Sequence, residues 1–268
     1  MMWEERFAEL STVAARQNGM ITAAQASRID VDEAALAHLT DAGLLMELDW
    51  AVHQLPWSSL GPRYAFPYAA WLALEPASYA WERVPDAVLS HESACGLHGL
   101  GSLTSPLIIF TTIAERAAPK GTKLNLSPLG ADDVALVKGV PVTTAQRTIV
   151  DLVTDWTDHG ALRRVLMDAL LRDLVELTEV HRALAPLAAR HEFPADGTEF
   201  VQYFIPDLTP AQLSPRNRRG YTALMSPDRV ADVEPEVARL IEAAGGAPDA
   251  QAVRDIAADI VAQTGSPG

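Results

Sequence analysis

Three observations predict an α+β fold for this chain. The first 55 residues read as three short helices followed by two strand-like runs, the element order of a winged helix-turn-helix. Strand-like runs and helical patterns are mixed between residues 87 and 155, and helical periodicity returns near the end. We therefore predict a winged helix-turn-helix at 1–60, a larger mixed α+β domain at 61–190, and an irregular segment with C-terminal helices at 191–268.

The elements of the first sixty residues are predicted from spacing and capping. Apolar residues at spacings of three and four predict a helix over 3–17, which Asn18 and Gly19 end. Thr22 and Asp32 are the expected N-caps of the second and third helices. The runs at 44–48 and 51–55 are expected to form the hairpin, and we expect the three helices to share one core.

Predicted strands and helices are mixed in the next part of the chain, and only helices are predicted after it. Strands are expected at 87–89, 107–112, 122–126 and 134–142, and helices at 64–74, 91–99, 145–155, 161–174 and 177–189. Residues 192–225 are proline-rich and are predicted to be irregular. Two helices, at 235–244 and 250–263, are expected to complete the tail, with Pro235 in the first turn of the former.

Composition narrows the class of protein. The chain has 268 residues, 49% of them hydrophobic, and a net charge of −14, which favours basic partners and opposes adventitious binding to nucleic acid or anionic membranes. Cys95 is the one cysteine, so an internal disulfide is impossible and a reducing compartment is expected. The first residues lack the charge and apolar run of a signal peptide. We expect a cytoplasmic protein without membrane contact.

Three ordered motifs resemble the AbiEi family, the antitoxins of nucleotidyltransferase-type toxin–antitoxin systems. The first joins Gly19-Met-Ile-Thr-Ala-Ala-Gln-Ala26 to Leu36-x-x-Leu39-x-x-x-Gly43-Leu44. The second joins Ala70-Trp-Leu-Ala-Leu-Glu-Pro76 to Val88-Leu-Ser-His-Glu-Ser-Ala-Cys-Gly-Leu-His-Gly-Leu100. The third is Gly139-Val-Pro-Val-Thr-Thr-Ala-Gln-Arg-Thr-Ile-Val-Asp151. The resemblance covers residues 15–185 and does not extend to the tail.

The resemblance implies a regulator with no catalytic site of its own. In the family, the winged helix binds the operon's own promoter, and the larger domain counteracts a nucleotidyltransferase-like toxin. It implies promoter DNA and that toxin as partners, and no cofactor. The DNA-facing residues would come from the second and third helices: Thr22, Gln25, Arg28, His38 and Thr40.

The charge of the first sixty residues does not favour the DNA binding that the resemblance implies. They contain three basic and nine acidic residues, a net charge of −6, and residues 33–42 contain no lysine or arginine. Duplex binding depends mainly on phosphate neutralisation by those two residue types. Asp49-Trp-Ala-Val-His-Gln54 also replaces the glycine and tyrosine usual in the family's wing. The alternative is a winged-helix protein-interaction module that does not bind DNA.

Basic residues in the larger domain are the candidate partner-binding residues: Arg147, Arg163 and Arg164. For Arg147 the competing interpretation is an anchor between a helix and the sheet. Pro215-Arg-Asn-Arg-Arg219 is read as a further basic loop, and the surrounding carboxylates favour an ordinary mixed surface.

Two constellations invite a chemical interpretation. His91, Cys95 and His98 share a helical face, as metal ligands would, but a buried cysteine and hydrogen-bonded histidines are the better interpretation. Ser90, His91 and Asp86 supply the residue types of a hydrolase triad without its sequence context, and we expect adjacent Ser90 and His91 to point apart on a helix. We therefore predict neither catalytic nor metal-binding residues; the remaining enzyme hypothesis is a degenerate nuclease or hydrolase.

Overall fold

The computed structural model describes residues 3–84 and 86–264. Its elements form two compact units, one comprising the residues up to Gly99 with Leu103–Thr148, and the other comprising Leu100–Ser102 with the residues from Ile149 onward. The boundary falls inside the helix Ala145–Thr154. Within the described residues, no helix is long and apolar enough to cross a membrane.

The first unit begins with the three predicted helices. Helix α1 spans Trp3–Ala15, strand β1 Met20–Thr22, helix α2 Ala23–Ser27, helix α3 Glu33–Asp41, and strands β2 and β3 Met46–Glu47 and Val52–Gln54. The sheet order is β1-β3-β2, with both pairings antiparallel. Helix α1 ends early because Asn18 and Gly19 adopt left-handed φ values of 56° and 75°. Thr22 and Asp32 cap α2 and α3 as predicted.

The three helices bury one apolar cluster, as expected. Leu10, Leu36 and Leu39 are at most 2% exposed, and Phe7 packs against them. Strand β1 was not predicted. Its three residues are all buried, so it shows none of the alternation that marks a half-exposed strand.

A second sheet completes the first unit. Helix α4 spans Pro62–Ala73, strand β4 Ala87–Leu89, helix α5 His91–His98, and strands β5 to β8 Ile108–Thr112, Thr122–Leu126, Val134–Val137 and Val140–Thr143. The order is β6-β5-β4-β8-β7, with β4 parallel to β8 and antiparallel to β5. Helix α4 packs Tyr68 and Leu72 into the same core as Leu89 and Phe110.

The remaining elements are helices. Helix α6 is Ala145–Thr154, followed in the second unit by α7 His159–Leu171, α8 Leu177–Leu184, α9 Gly197–Phe204, α10 Pro215–Met225, α11 Pro227–Ala243 and α12 Ala250–Thr264. Val230, Val237, Val253, Ala257 and Val261 of α11 and α12 form a small core of their own.

Two predictions for the tail were wrong. Residues 192–225 are not irregular, because α9 and α10 lie there, and Pro215–Arg219 is the first turn of α10 rather than a loop. Helix α11 begins at Pro227 and carries Pro235 inside it. Pro215 and Pro227 each lie in a first helical turn, where the missing N–H costs nothing. The prolines that were interpreted as helix breakers therefore lie at the starts of helices in this chain.

Candidate functional site

The candidate site in the first unit is the surface of α2 and α3, where the predicted DNA-facing residues lie. Residues 75–82, the connection after α4, cover α2; we call them the 75–82 segment. The Thr22 hydroxyl accepts from the Gln25 backbone N–H at 3.0 Å and donates to the carbonyl of Pro76. Thr22 is 1% exposed. Its side chain is therefore used for capping and for holding this segment.

Gln25 joins α2 to the 75–82 segment through several hydrogen bonds. Its amide donates to the carbonyl of Ser78 at 2.6 Å, and its oxygen accepts from the Thr22 backbone N–H at 3.1 Å. Gln17 donates to the same oxygen at 2.8 Å, and accepts from the Ala80 N–H at 2.8 Å. Gln25 and Gln17 are both 0% exposed. The two amides thus form a buried network that joins the turn after α1, helix α2 and the 75–82 segment.

Arg28 closes the outer edge of this contact. Its guanidinium donates to both carboxylate oxygens of Glu82, at 2.7 and 3.0 Å, and lies 4.0 Å above the ring of Tyr79. The hydrogen bond from Arg28 lowers the pKa of Glu82 to about 2, and the same bond raises the pKa of Arg28. Arg16 stacks in the same way, 3.9 Å above Trp81. Both arginines therefore bind side chains of the segment.

The α3 surface is open but poor in positive charge. His38 is exposed, with its ring 6.3 Å from that of Trp3, and Thr40 is half-buried. The exposed residues of the helix also include Glu33 and Asp41. A helix with this surface presents carboxylates where phosphate binding requires cations.

The structure thus separates the five predicted DNA-facing residues into two groups. Thr22, Gln25 and Arg28 lie at the N-cap, within and at the C-cap of α2, under or against the 75–82 segment. His38 and Thr40 lie on α3. Sequence reasoning missed Gln17, Tyr79 and Glu82, which engage the first group. The signal in the sequence was the pair of aromatic residues, Tyr79 and Trp81, just before Glu82. They lie in a loop, and local sequence patterns do not show that this loop contacts α2.

Arg147 links α6 to the connection between β6 and β7 within the first unit. Its guanidinium donates to the Asp133 carboxylate, to the Pro128 carbonyl and to the Ser127 hydroxyl, each at 2.9 Å. The side chain is 14% exposed. These contacts anchor α6 to the connection that joins two strands of the sheet.

Arg163 and Arg164 are adjacent on α7 in the second unit but have different surroundings. Arg163 is half-buried, with its guanidinium carbon 4.9 Å above the ring of Tyr203. Arg164 is exposed and lines a shallow pocket of about 190 Å³ beside Asp168 and Leu171. Of the two, Arg164 is the more accessible to a partner.

Ser90 and His91 correct one expectation. Their side chains do meet: His91 Nδ1 lies 2.8 Å from Ser90 Oγ. The two residues are not in successive helical conformations, because Ser90 is extended and His91 has a left-handed φ of 52°. Ser90 is 0% and His91 5% exposed, so a substrate has no access to the pair.

The neighbouring Cys95 is buried in the core, and His98 is hydrogen-bonded to a core residue. Cys95 is 0% exposed, and burial raises the pKa of its thiol to about 12. His98 Nε2 lies 2.7 Å from the Thr143 carbonyl, and burial lowers the pKa of His98. Among residues 3–84 and 86–264, no group of three or more histidine, cysteine or acidic residues has metal-binding geometry.

Comparison with known proteins gives a family match for part of the chain. Residues 87–195 match the AbiEi antitoxin C-terminal domain, so this stretch is similar to that domain. The resemblance drawn from the motifs is confirmed. No curated protein matches the chain. Among solved structures, the RV2827C protein from Mycobacterium tuberculosis is similar at 16% identity and a TM-score of 0.43, over 84% of this chain and 80% of that one.

Proposed function

We propose that the chain is an antitoxin that counteracts a nucleotidyltransferase-like toxin, in the cytoplasm and by binding rather than by catalysis. The observation that carries this proposal is the match of residues 87–195 to the AbiEi antitoxin C-terminal domain. In it, the chemistry belongs to the toxin, and of the three predicted arginines the exposed Arg164 is the candidate contact of the antitoxin domain.

Co-expression tests the proposal. The gene next to this one should encode a nucleotidyltransferase-like protein that arrests growth when expressed alone. Expression of the full chain should restore growth, while a chain carrying a stop codon after residue 60 should not. Arrest that persists in the presence of the soluble full chain would refute the antitoxin role.

For the first sixty residues, we propose a winged helix-turn-helix. The order α1-β1-α2-α3-β2-β3 and the antiparallel sheet β1-β3-β2 support it. Helix α3 would be the recognition helix, and the β2–β3 hairpin the wing. With DNA as the partner, this unit would repress the operon from which the chain is expressed.

A second candidate is the same fold used as a protein-interaction module without DNA binding. It is favoured by the engagement of Thr22, Gln25 and Arg28 with the 75–82 segment and by the acidic surface of α3. A gel-shift titration on the upstream region, repeated across salt concentrations, separates the two. Sequence-specific binding that weakens steeply with salt would eliminate the second candidate, and its absence at low salt would eliminate autorepression.

A further inference from the structure

We propose that a cavity between α8, α10 and α12 binds a small molecule that carries phosphate. We call it the three-helix cavity. The proposal goes beyond the proposed function, because it requires neither a toxin nor DNA. Every residue that lines the cavity belongs to the second unit, and two of the three helices lie outside residues 87–195, so the family match does not assign this site.

The size and the wall of the three-helix cavity suit a small ligand. Its volume is about 600 Å³. Small-molecule sites commonly have volumes of roughly 300–1,000 Å³. Much of the wall consists of apolar or small residues: Ala185, Pro186, Gly220, Ala223, Leu224 and Ala258. The cavity therefore has room for a ligand with an apolar part beside its charged group.

The charged residues of the lining favour an anion. Four arginines and two carboxylates line the cavity: Arg182, Arg216, Arg219 and Arg254, with Glu176 and Asp255. Their net charge is +2, in a chain whose net charge is −14. A positive cavity in an acidic protein attracts anions locally, although the chain as a whole repels them.

Three of the arginines are held by carboxylates that do not line the cavity. The pairs are Arg182 with Glu179, Arg216 with Asp173, and Arg254 with Glu234. Arg254 uses its Nε in that pair, at 3.1 Å, which leaves the N–H groups of its two terminal nitrogens for another acceptor. The ion pairs therefore orient these guanidinium groups at the rim without filling the cavity.

Arg219 has the most to gain from a ligand. It is the least exposed of the four arginines, with 32% of its side chain exposed. It lies 3.7 Å from Asp255 and 3.6 Å from Asp259, and both distances are too long for hydrogen bonds. Among residues 3–84 and 86–264, its guanidinium thus has carboxylates nearby but no hydrogen-bond acceptor. A ligand oxygen at about 2.8 Å would be a better partner than either aspartate.

Phosphate is the anion that this arrangement fits. The guanidinium group presents a planar fork of donors that matches phosphate oxygens, and a phosphate carries up to two charges on three free oxygens. Arginines that reach the cavity from three helices can share such a group. A single carboxylate has one charge and two oxygens, so it would leave more of these donors without an acceptor.

Isothermal titration calorimetry of the purified full chain tests the proposal, with inorganic pyrophosphate as the probe in magnesium-free buffer of constant ionic strength. Arg219→Gln removes a cation from the lining, and Asp255→Asn removes a carboxylate from it. Arg229→Gln is the matched control, because it removes the same charge at an exposed position of α11 that does not line the cavity. Acetate replaces pyrophosphate in a parallel titration. Circular dichroism verifies that the variants keep the helical content of the wild type.

We expect pyrophosphate to bind the wild type with a dissociation constant below about 1 mM, and acetate to bind at least tenfold more weakly. Arg219→Gln should weaken pyrophosphate binding about tenfold, while Arg229→Gln should change it less than about twofold. Asp255→Asn should tighten binding about threefold, since it removes a repulsive charge and a competitor for Arg219. This change of opposite sign cannot arise from a damaged fold. No binding of pyrophosphate at 5 mM, equal effects of the two arginine variants, weaker binding by Asp255→Asn, or equal affinity for acetate would each overturn the proposal.

Discussion

Substitution of Gln25 by alanine tests how firmly the 75–82 segment is fixed to α2. Gln25 is 0% exposed and satisfies the Thr22 backbone N–H, the Ser78 carbonyl and the Gln17 side-chain amide. Truncation leaves these groups without that partner, at a cost of about 1–3 kcal/mol for each that stays buried. Since Ser78 is only half-buried and can regain water, we expect a loss of about 3 kcal/mol in the free energy of unfolding.

Urea denaturation followed by tryptophan fluorescence measures this loss. Five of the six tryptophans precede residue 85 and report on the first unit. Glu9→Ala, at an exposed position of α1 in the same unit, is the control and should change stability by less than about 0.5 kcal/mol. Hydrogen exchange of the amides in residues 75–82 should accelerate in Gln25→Ala alone. A loss below about 1 kcal/mol with unchanged exchange would show that the Gln25 network does not hold the segment.

Further outcomes follow from burial and backbone geometry. Cys95 should resist Ellman's reagent at pH 8 in the native protein and react fully in denaturant, because burial raises its pKa to about 12; rapid native reaction would contradict the buried position. Burial lowers the pKa of His98 below 6.5, so the unfolded state takes up a proton before the folded state does as the pH falls. The free energy of unfolding therefore decreases as the pH falls from 6.5 toward the lower pKa of the folded state. His98→Gln should therefore lose less of its urea midpoint than the wild type between pH 7 and pH 5, and equal losses would refute this role. Gly101 has a φ of +58°, and an added Cβ would lie 2.9 Å from Val165 Cγ2, so Gly101→Ala should lower the melting temperature by several degrees. Gly121→Ala, at φ +78° with nothing within 4 Å, should cost only its backbone strain, and an equal effect would contradict the steric argument.

Local patterns were sufficient for much of the fold. The caps Thr22 and Asp32 and the left-handed turn at Asn18 and Gly19 each depend on neighbouring residues only, so the sequence could show them. Strand β1 could not be found because it is buried on both faces. The tail was misread because prolines that begin α10 and α11 carry the same local signal as prolines that end a helix.

The candidate site was less accessible to sequence reasoning. The residue types on α2 were read correctly as polar, but their partners lie about fifty positions further along the chain, as for Gln25 and Ser78. No periodicity connects such positions. The contact between Ser90 and His91 was missed for a related reason, since it depends on a left-handed residue that is not glycine. Such a conformation is uncommon, and tertiary packing rather than local preference fixes it.

The core of the first unit has a consequence for how such chains can diverge. Met20 and Val52, from the small N-terminal sheet, lie in one cluster with Leu89 and Phe110 of the second sheet and Trp71 of α4. A recombination event that exchanged the first sixty residues for those of another protein would mismatch side chains on both sides of the join. Changes at positions 20 and 52 should therefore be inherited together with changes in α4 and β4, so that the N-terminal sixty residues evolve by substitution rather than by exchange as a block.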